Sequence, residues 1–204
     1  CNSGKISSRL LFDNFPLAPQ STKNPRFENF DFLIGICDEC FLIQQLSEVP
    51  SEILYREFKN DVVGEKLNNQ KLSFFKYITH YLKKNMTVLE MGAGNGFVVN
   101  KLAELNKSIK FIANDYNLNI KNESSNIVML EGDIHDYEFD DIDIFFSSHV
   151  FEHIADPTYH LKKIKRMLKI DGLYIMAIPL FQSWIKKLNL NSFTTEHLIY
   201  PFED

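Results

Sequence analysis

The sequence predicts an α/β fold with a doubly wound, mostly parallel sheet, preceded by a small cysteine-bearing module. Two observations carry this. A buried apolar run from Val88 passes straight into a glycine-rich turn and then a helix. Four more apolar runs follow, at 110–116, 127–133, 141–148 and 173–179, with helical patterning after the first and the fourth. Runs that are apolar throughout, not at alternate positions, suit strands covered by helices on both faces.

Taken in chain order, residues 17–29 carry two prolines and several polar residues and read as an irregular loop. Residues 65–84 read as a helix packed beside the sheet and bordering the ligand pocket. The first strand ends in Glu90-Met-Gly92-Ala-Gly94-Asn-Gly96. Glycines at alternate positions let backbone pass close under a ligand, because no Cβ intervenes. The next helix, Phe97 to about Leu105, aims its free N–H groups at the same place. The second run ends at Asp115, about 20 residues beyond the glycines, where a ribose diol would sit. The third ends in Gly132-Asp133 and the fourth in Ser148. Asp156-Pro157 starts a helix, with Asp as N-cap and Pro at the first helical position. Its apolar stripe is Leu161, Ile164, Met167 and Leu168. It should stop at Asp171-Gly172, glycine taking the left-handed cap.

The glycine spacing is G-x-G-x-G, not the G-x-G-x-x-G of dinucleotide sites, which disfavours a nicotinamide dehydrogenase. An acid two residues before the first glycine suits a cofactor with a cationic or amine-bearing end. The bland alternatives are local: a tight turn without ligand, a strand-end residue at Asp115, and a turn cap at Asp133.

Glu90, the three glycines, Asp115, Gly132-Asp133, the run Ser148-His149-Val150-Phe151-Glu152-His153-Ile154 and Asp171-Gly172 together resemble class I S-adenosylmethionine-dependent methyltransferases. The resemblance spans roughly 88–179 and implies a Rossmann-like sheet. It implies that Glu90, Gly92, Ala93, Gly94 and Gly96 hold the methionine end of the cofactor. Asp115, with Tyr116 beside it, would take the ribose hydroxyls. Asp133 would meet the adenine amino group, Ile134 the ring, and Ser148-His149 would border the pocket. A carboxylate suits hydroxyl and amine donors.

Cys37-Asp-Glu-Cys40 is a C-x-x-C pair that could face one zinc ion from a tight turn. A structural site needs four ligands, and the only other cysteine is Cys1. A redox pair, plain buried cysteines and a lipidated Cys1 are the competing readings. With Phe12-Asp-Asn-Phe-Pro16 upstream, the segment resembles the zinc-binding N-terminal module of a subset of sugar-nucleotide methyltransferases, notably the sugar C-methyltransferases. That resemblance implies Cys1, Cys37 and Cys40 as metal ligands, with further ligands missing. The expected division is a zinc-ribbon-like module over 1–50, a helical connector or lid over 51–84 and the cofactor-binding domain over 85–204. The last domain lacks two C-terminal strands of the family's sheet, so a chain truncated at both ends is expected.

His149, His153 and His197 are candidate general bases. Glu196-His197 with Tyr200 resembles the catalytic Glu-His pair of the sugar C-methyltransferases, but Thr194 and Thr195 replace the tyrosine and histidine those enzymes carry just before it. The tyrosine-serine motif expected before the first strand is also missing around 58–63. Oxygen and nitrogen methylation therefore stand beside carbon methylation. For His149 a backbone contact to the cofactor is favoured, and for His153 a turn position.

The chain has 204 residues, 45% apolar and 13% aromatic, which excludes a disordered chain. A net charge of −5 does not favour nucleic acid. The lysines at 162, 163 and 165, with Arg166, read as a solvated helix face. No apolar run is long enough to span a membrane, and no signal-peptide pattern is seen. The expectation is a cytoplasmic methyltransferase acting on a small, nucleotide-linked sugar or related metabolite. The alternative is a non-catalytic scaffold domain of the same fold. Oligomeric state is left open.

Overall fold

The computed structural model describes residues 4–17, 28–40, 43–47, 65–116, 118, 120 and 124–178. The chain divides into two units, Cys1–Lys59 with Pro179–Asp204, and Asn60–Ile178.

In the first unit, β1 (Ile6–Leu17), β2 (Glu28–Cys37) and β3 (Ile43–Gln45) form an antiparallel sheet in that order. The 17–29 segment read as a loop therefore begins and ends in strand; its interior, 18–27, lies outside the described residues. Gly35 sits mid-strand where a Cβ would fall 2.7 Å from both Ile6 Cγ2 and Leu46 Cδ1. Its missing side chain is what lets those two residues close over the sheet.

The second unit holds α1 (Glu65–Thr79), β4 (Thr87–Met91), α2 (Phe97–Leu105), β5 (Lys110–Asp115), β6 (Ile127–Glu131), β7 (Ile142–Ser148), α3 (Pro157–Met167) and β8 (Leu168–Ala177). Its five strands are all parallel, in the order β6-β5-β4-β7-β8. The first strand of the unit is thus central, and the order reverses between β4 and β7. In such sheets ligands bind outside the C-terminal strand ends at that reversal.

Side chains alternate across the sheet. Val88, Phe111, Ala113, Ile144 and Phe146 face α1 and α2, packing with Ile78, Val99 and Leu102. Leu89, Met91, Ile112 and Phe145 face α3, packing with Ile164 and Met167. Two separate cores on one sheet are what the unbroken apolar runs require.

Helix α1 is shorter than its expected 65–84. At Ile78–Leu82 the backbone tightens into i+3 turns, and Thr79 Oγ1 donates to the Lys76 carbonyl at 2.7 Å. Helix α2 agrees with its expected bounds. Helix α3 starts as read: Asp156 Oδ1 accepts from Tyr159 N at 2.8 Å, and Pro157 occupies the first turn. Its end differs. The helix closes at Met167, and Leu168 already pairs with Ile142. The left-handed residue is Asp171, φ 63, not Gly172. A Cβ on Gly172 would lie 3.0 Å from the Lys169 carbonyl, so glycine is used for close backbone approach in an irregular strand entry. The buried stripe is His160, Ile164 and Met167, while Leu161 is exposed. A polar histidine has taken the inward position the sequence pattern gave to leucine. Among the described residues no helix is long and apolar enough to cross a membrane.

Candidate functional site

The glycine turn leaves β4 at its C-terminal end. Gly92, Gly94 and Gly96 have φ of 72, 56 and 73, a region that L side chains rarely adopt. At Gly92 there is also no room: a Cβ would sit 2.2 Å from Val150 Cγ2, in the loop after β7. The turn is anchored to β5, where the Asn114 carbonyl accepts from Gly92 N at 2.8 Å and Ala93 N at 3.0 Å. Asp115 Oδ2 accepts from Gly94 N at 2.8 Å. The glycines and Asp115, read as two halves of one site, are thus joined directly. Ser148 ends β7, and His149 follows with φ 56, a conformation costly for a residue with a side chain.

Glu90 lies beneath the turn, 4% exposed, on the α2 face of the sheet. Its Oε2 accepts from Val99 N at 3.0 Å. The N-cap of α2, Gly96, offers no side chain, so Glu90 reaches over from the strand to satisfy a free N–H of the first turn. Burial pushes its carboxyl up to about 8, against the lowering effects of the Val99 N–H and Lys71. Lys71, from α1, donates to Asn95 Oδ1 at 3.4 Å and tethers that helix to the turn. Burial lowers Lys71, opposed by Glu90.

Asp133 follows β6 and does two things. It caps the short 3-10 turn Ile134–Asp136 through Oδ1, accepting from His135 N at 2.9 Å. Its Oδ2 accepts from Tyr116 Oη at 2.8 Å. Burial alone would raise Asp133, but the His135 N–H, the Tyr116 hydroxyl and the His135 imidazole outweigh it and hold the carboxyl below its usual range. Ile134 is 3% exposed within the α3-side core. Tyr116 is 57% exposed. The expected cofactor residues therefore share one edge: Gly92–Gly96 after β4, Asp115-Tyr116 after β5, Asp133 after β6, Ser148-His149 after β7.

In the loop after β7, Glu152 is 7% exposed, with Oε1 3.5 Å from His149 Nδ1. His153 lies in the short 3-10 turn Phe151–His153, as expected of a turn position. Glu196 and His197, the expected catalytic pair, lie outside the described residues.

The zinc expectation is not supported. Cys37 is fully buried at the end of β2, and Cys40 is exposed in the following turn; among the described residues neither forms a disulfide. Among the described residues no group of three or more histidines, cysteines or acids comes together that could hold a metal. Cys1 lies outside the described residues. The strand places one thiol inward, which C-x-x-C spacing alone does not reveal.

Asn114, Lys71, Ser147, His160 and Tyr174 were not singled out in the sequence. Asn114 had a signal, an amide within an apolar strand. Its Nδ2 donates to the Leu130 and Gly132 carbonyls at 3.1 and 2.9 Å and fixes the end of β6. Lys71 had none.

The fold and this edge define a Rossmann-like α/β domain with acidic strand tips around a glycine turn. A family model described as a methyltransferase domain matches residues 82–200, more than half of the chain, and the chain belongs to that family. No curated protein matches it at a significant level. Among solved structures, phosphoethanolamine N-methyltransferase 2 of Haemonchus contortus, in complex with S-adenosyl-L-methionine, is similar at 17% identity. It covers 79% of this chain and 43% of its own, with a TM-score of 0.57, and supports the fold. Coclaurine N-methyltransferase is similar at 21% identity over 58% of this chain and 38% of its own, TM-score 0.49. A TehB-like methyltransferase of Corynebacterium glutamicum is similar at 17% identity over 55% and 68%, TM-score 0.45. The chain thus spans about half or less of the first two structures' length.

Proposed function

We propose that this chain is an S-adenosylmethionine-dependent methyltransferase acting on a small acceptor. The single observation that carries this is the Gly94 N–H to Asp115 carboxylate bond, which ties the C-terminal ends of the neighbouring strands β4 and β5. It joins a side-chain-free turn to an acid at the adjacent strand tip, a combination suited to a ribose-bearing ligand. The donor set fits the cofactor. Gly92, Gly94 and Gly96 keep the turn free of side chains in a left-handed backbone, and Gly92 lets Val150 close against it. Asp115 suits the ribose hydroxyls, Asp133 suits an amine donor, and an acidic surround suits a sulfonium.

When bound, S-adenosylmethionine supplies an electrophilic methyl group on an already activated sulfur. The protein's part is to orient the acceptor, exclude water and, for a hydroxyl or carbon acid, remove a proton. His149, 45% exposed and beside Glu152, and the Glu196-His197 pair are the groups proposed for the proton. The acceptor we favour is a nucleotide-linked sugar or related metabolite, methylated on oxygen, nitrogen or carbon in the cytoplasm. The support is the resemblance of Glu196-His197 with Tyr200 to the catalytic pair of the sugar C-methyltransferases, from which Thr194 and Thr195 depart.

Calorimetry with S-adenosylhomocysteine and with NAD tests the first claim. Binding of the former alone is expected, and Asp115→Ala should weaken it at least tenfold; binding of NAD alone would defeat the proposal. Turnover on a panel of sugar nucleotides tests the second. Cofactor binding with no turnover on any acceptor would favour a scaffold.

A further inference from the structure

From Asp133 a line of polar side chains runs inward along the α3 face of the sheet. His135 Nδ1 lies 2.7 Å from Asp133 Oδ1. His135 Nε2 lies 2.8 Å from His160 Nδ1. His160 Nε2 lies 3.2 Å from Tyr174 Oη, which is 3.1 Å from Ser147 Oγ. Four elements contribute: the 3-10 turn after β6, helix α3, strand β8 and strand β7. His160 and Ser147 are both 0% exposed.

The chemistry of the ends fixes the protons between them. An ionised carboxylate only accepts, so His135 Nδ1 must donate to Asp133. With both imidazoles neutral, His135 Nε2 then accepts from His160 Nδ1–H. His160 Nε2 in turn accepts from the Tyr174 hydroxyl. Burial, then His135, push His160 down to about 4, against Asp133, and burial pushes Tyr174 up to about 12, so both stay uncharged near neutrality. A proton added at His135 would reverse the links beyond it and leave Asp133 paired. No member is a spare polar group, and each fixes the rotamer or tautomer of the next.

We infer that His135, His160, Tyr174 and Ser147 are positioning residues that hold the Asp133 carboxylate in one orientation at the cofactor edge, and thereby set selectivity for a 6-amino purine over its 6-oxo counterpart. This rests on the methyltransferase reading for the identity of the ligand. It goes beyond it in assigning selectivity to residues that stand behind Asp133 in the hydrogen-bonded line.

The edge-on contacts of Tyr174 with Phe145, centroids 5.3 Å at 86°, and of His160 with His135, 5.1 Å at 88°, hold the rings by packing as well. Tyr174→Phe would therefore keep the shape while deleting one donor.

The test compares calorimetric affinity for S-adenosylhomocysteine with that for S-inosylhomocysteine, in the wild type, Tyr174→Phe and His160→Gln. The wild type should prefer the amino form at least tenfold. Each variant should cut that ratio at least threefold, mainly by weakening the adenosyl ligand. An unchanged ratio in both variants, with only melting temperature lowered, would reduce the chain to a structural role and overturn the inference. Should either variant not fold, nitrogen-15 NMR of the wild-type imidazoles at pH 8 decides. Protons on Nδ1 of both His135 and His160 are expected, and an Nε2–H tautomer at His135 would overturn it. Failure of the wild type to bind either ligand would instead defeat the methyltransferase reading itself.

Discussion

On the α2 face of the sheet, Glu90 is a buried carboxyl with one backbone donor and a lysine nearby. On the α3 face, Asp133 is a half-buried carboxyl with a backbone N–H, a phenol and an imidazole upon it. The first is pushed up to about 8 and the second is held below its usual range. Both lie within three residues of a strand tip, and both are acids beside a candidate ligand. The difference is donor count against desolvation. One N–H cannot replace the water that Glu90 has lost, whereas three donors at Asp133 do. The sheet thus keeps a proton-holding acid under the glycine turn and a permanent anion at the next site.

The largest effect expected from breaking this contrast comes from the cores themselves. Phe145 and Phe146 are adjacent, fully buried, and face opposite ways. Truncating either to alanine should cost about 3–5 kcal/mol, read by urea unfolding. Only Phe145→Ala should also lower the adenosyl-over-inosyl preference, because Phe145 packs edge-on against Tyr174. Loss of preference in Phe146→Ala as well would erase the distinction between faces.

Next comes Glu90. Its folded value is raised above that of the unfolded chain, so its contribution is fully present below about pH 4.5 and is lost as pH rises toward about 8. Glu90→Gln keeps an acceptor for Val99 N and removes the ionisation. The variant should gain on the wild type by up to about 1.4 kcal/mol per pH unit across that window. Parallel stability curves from pH 5 to 8 would show that Glu90 titrates normally.

His160 sharpens the other face. Its folded value is depressed to about 4, so its contribution is present above about pH 6.5 and is lost as pH falls toward 4. His160→Gln should flatten the acid limb of the stability curve by up to about 2 kcal/mol. An acid limb of unchanged slope would count against a neutral buried His160. The smallest effect is local: Asp156→Ala removes the cap of α3 and should cost about 1 kcal/mol in thermal unfolding.

Much of the fold was legible from local pattern. Continuous apolar runs marked β4, β5, β6 and β7, and helix α2 matched its expected bounds. Asp156-Pro157 fixed the start of α3 because capping is settled within four residues. The helix end was misread, since Asp171-Gly172 looks like a helix stop but serves an irregular strand entry paired to Ile142. Leu161 was misplaced because period alone cannot tell that His160 has partners on β8 and after β6. For Cys37 and Cys40 the spacing was informative only about reach, while strand geometry decided which thiol is buried.

The amino-acid order alone determined the glycine turn and the acids that cluster around it, because turn chemistry and strand ends are written within a few consecutive residues. Only tertiary structure decided which acid keeps its proton, and that Ser147, Tyr174, His160 and His135 line up behind Asp133. Desolvation and donor count depend on side chains brought from distant elements, and no short-range pattern records which of them will meet.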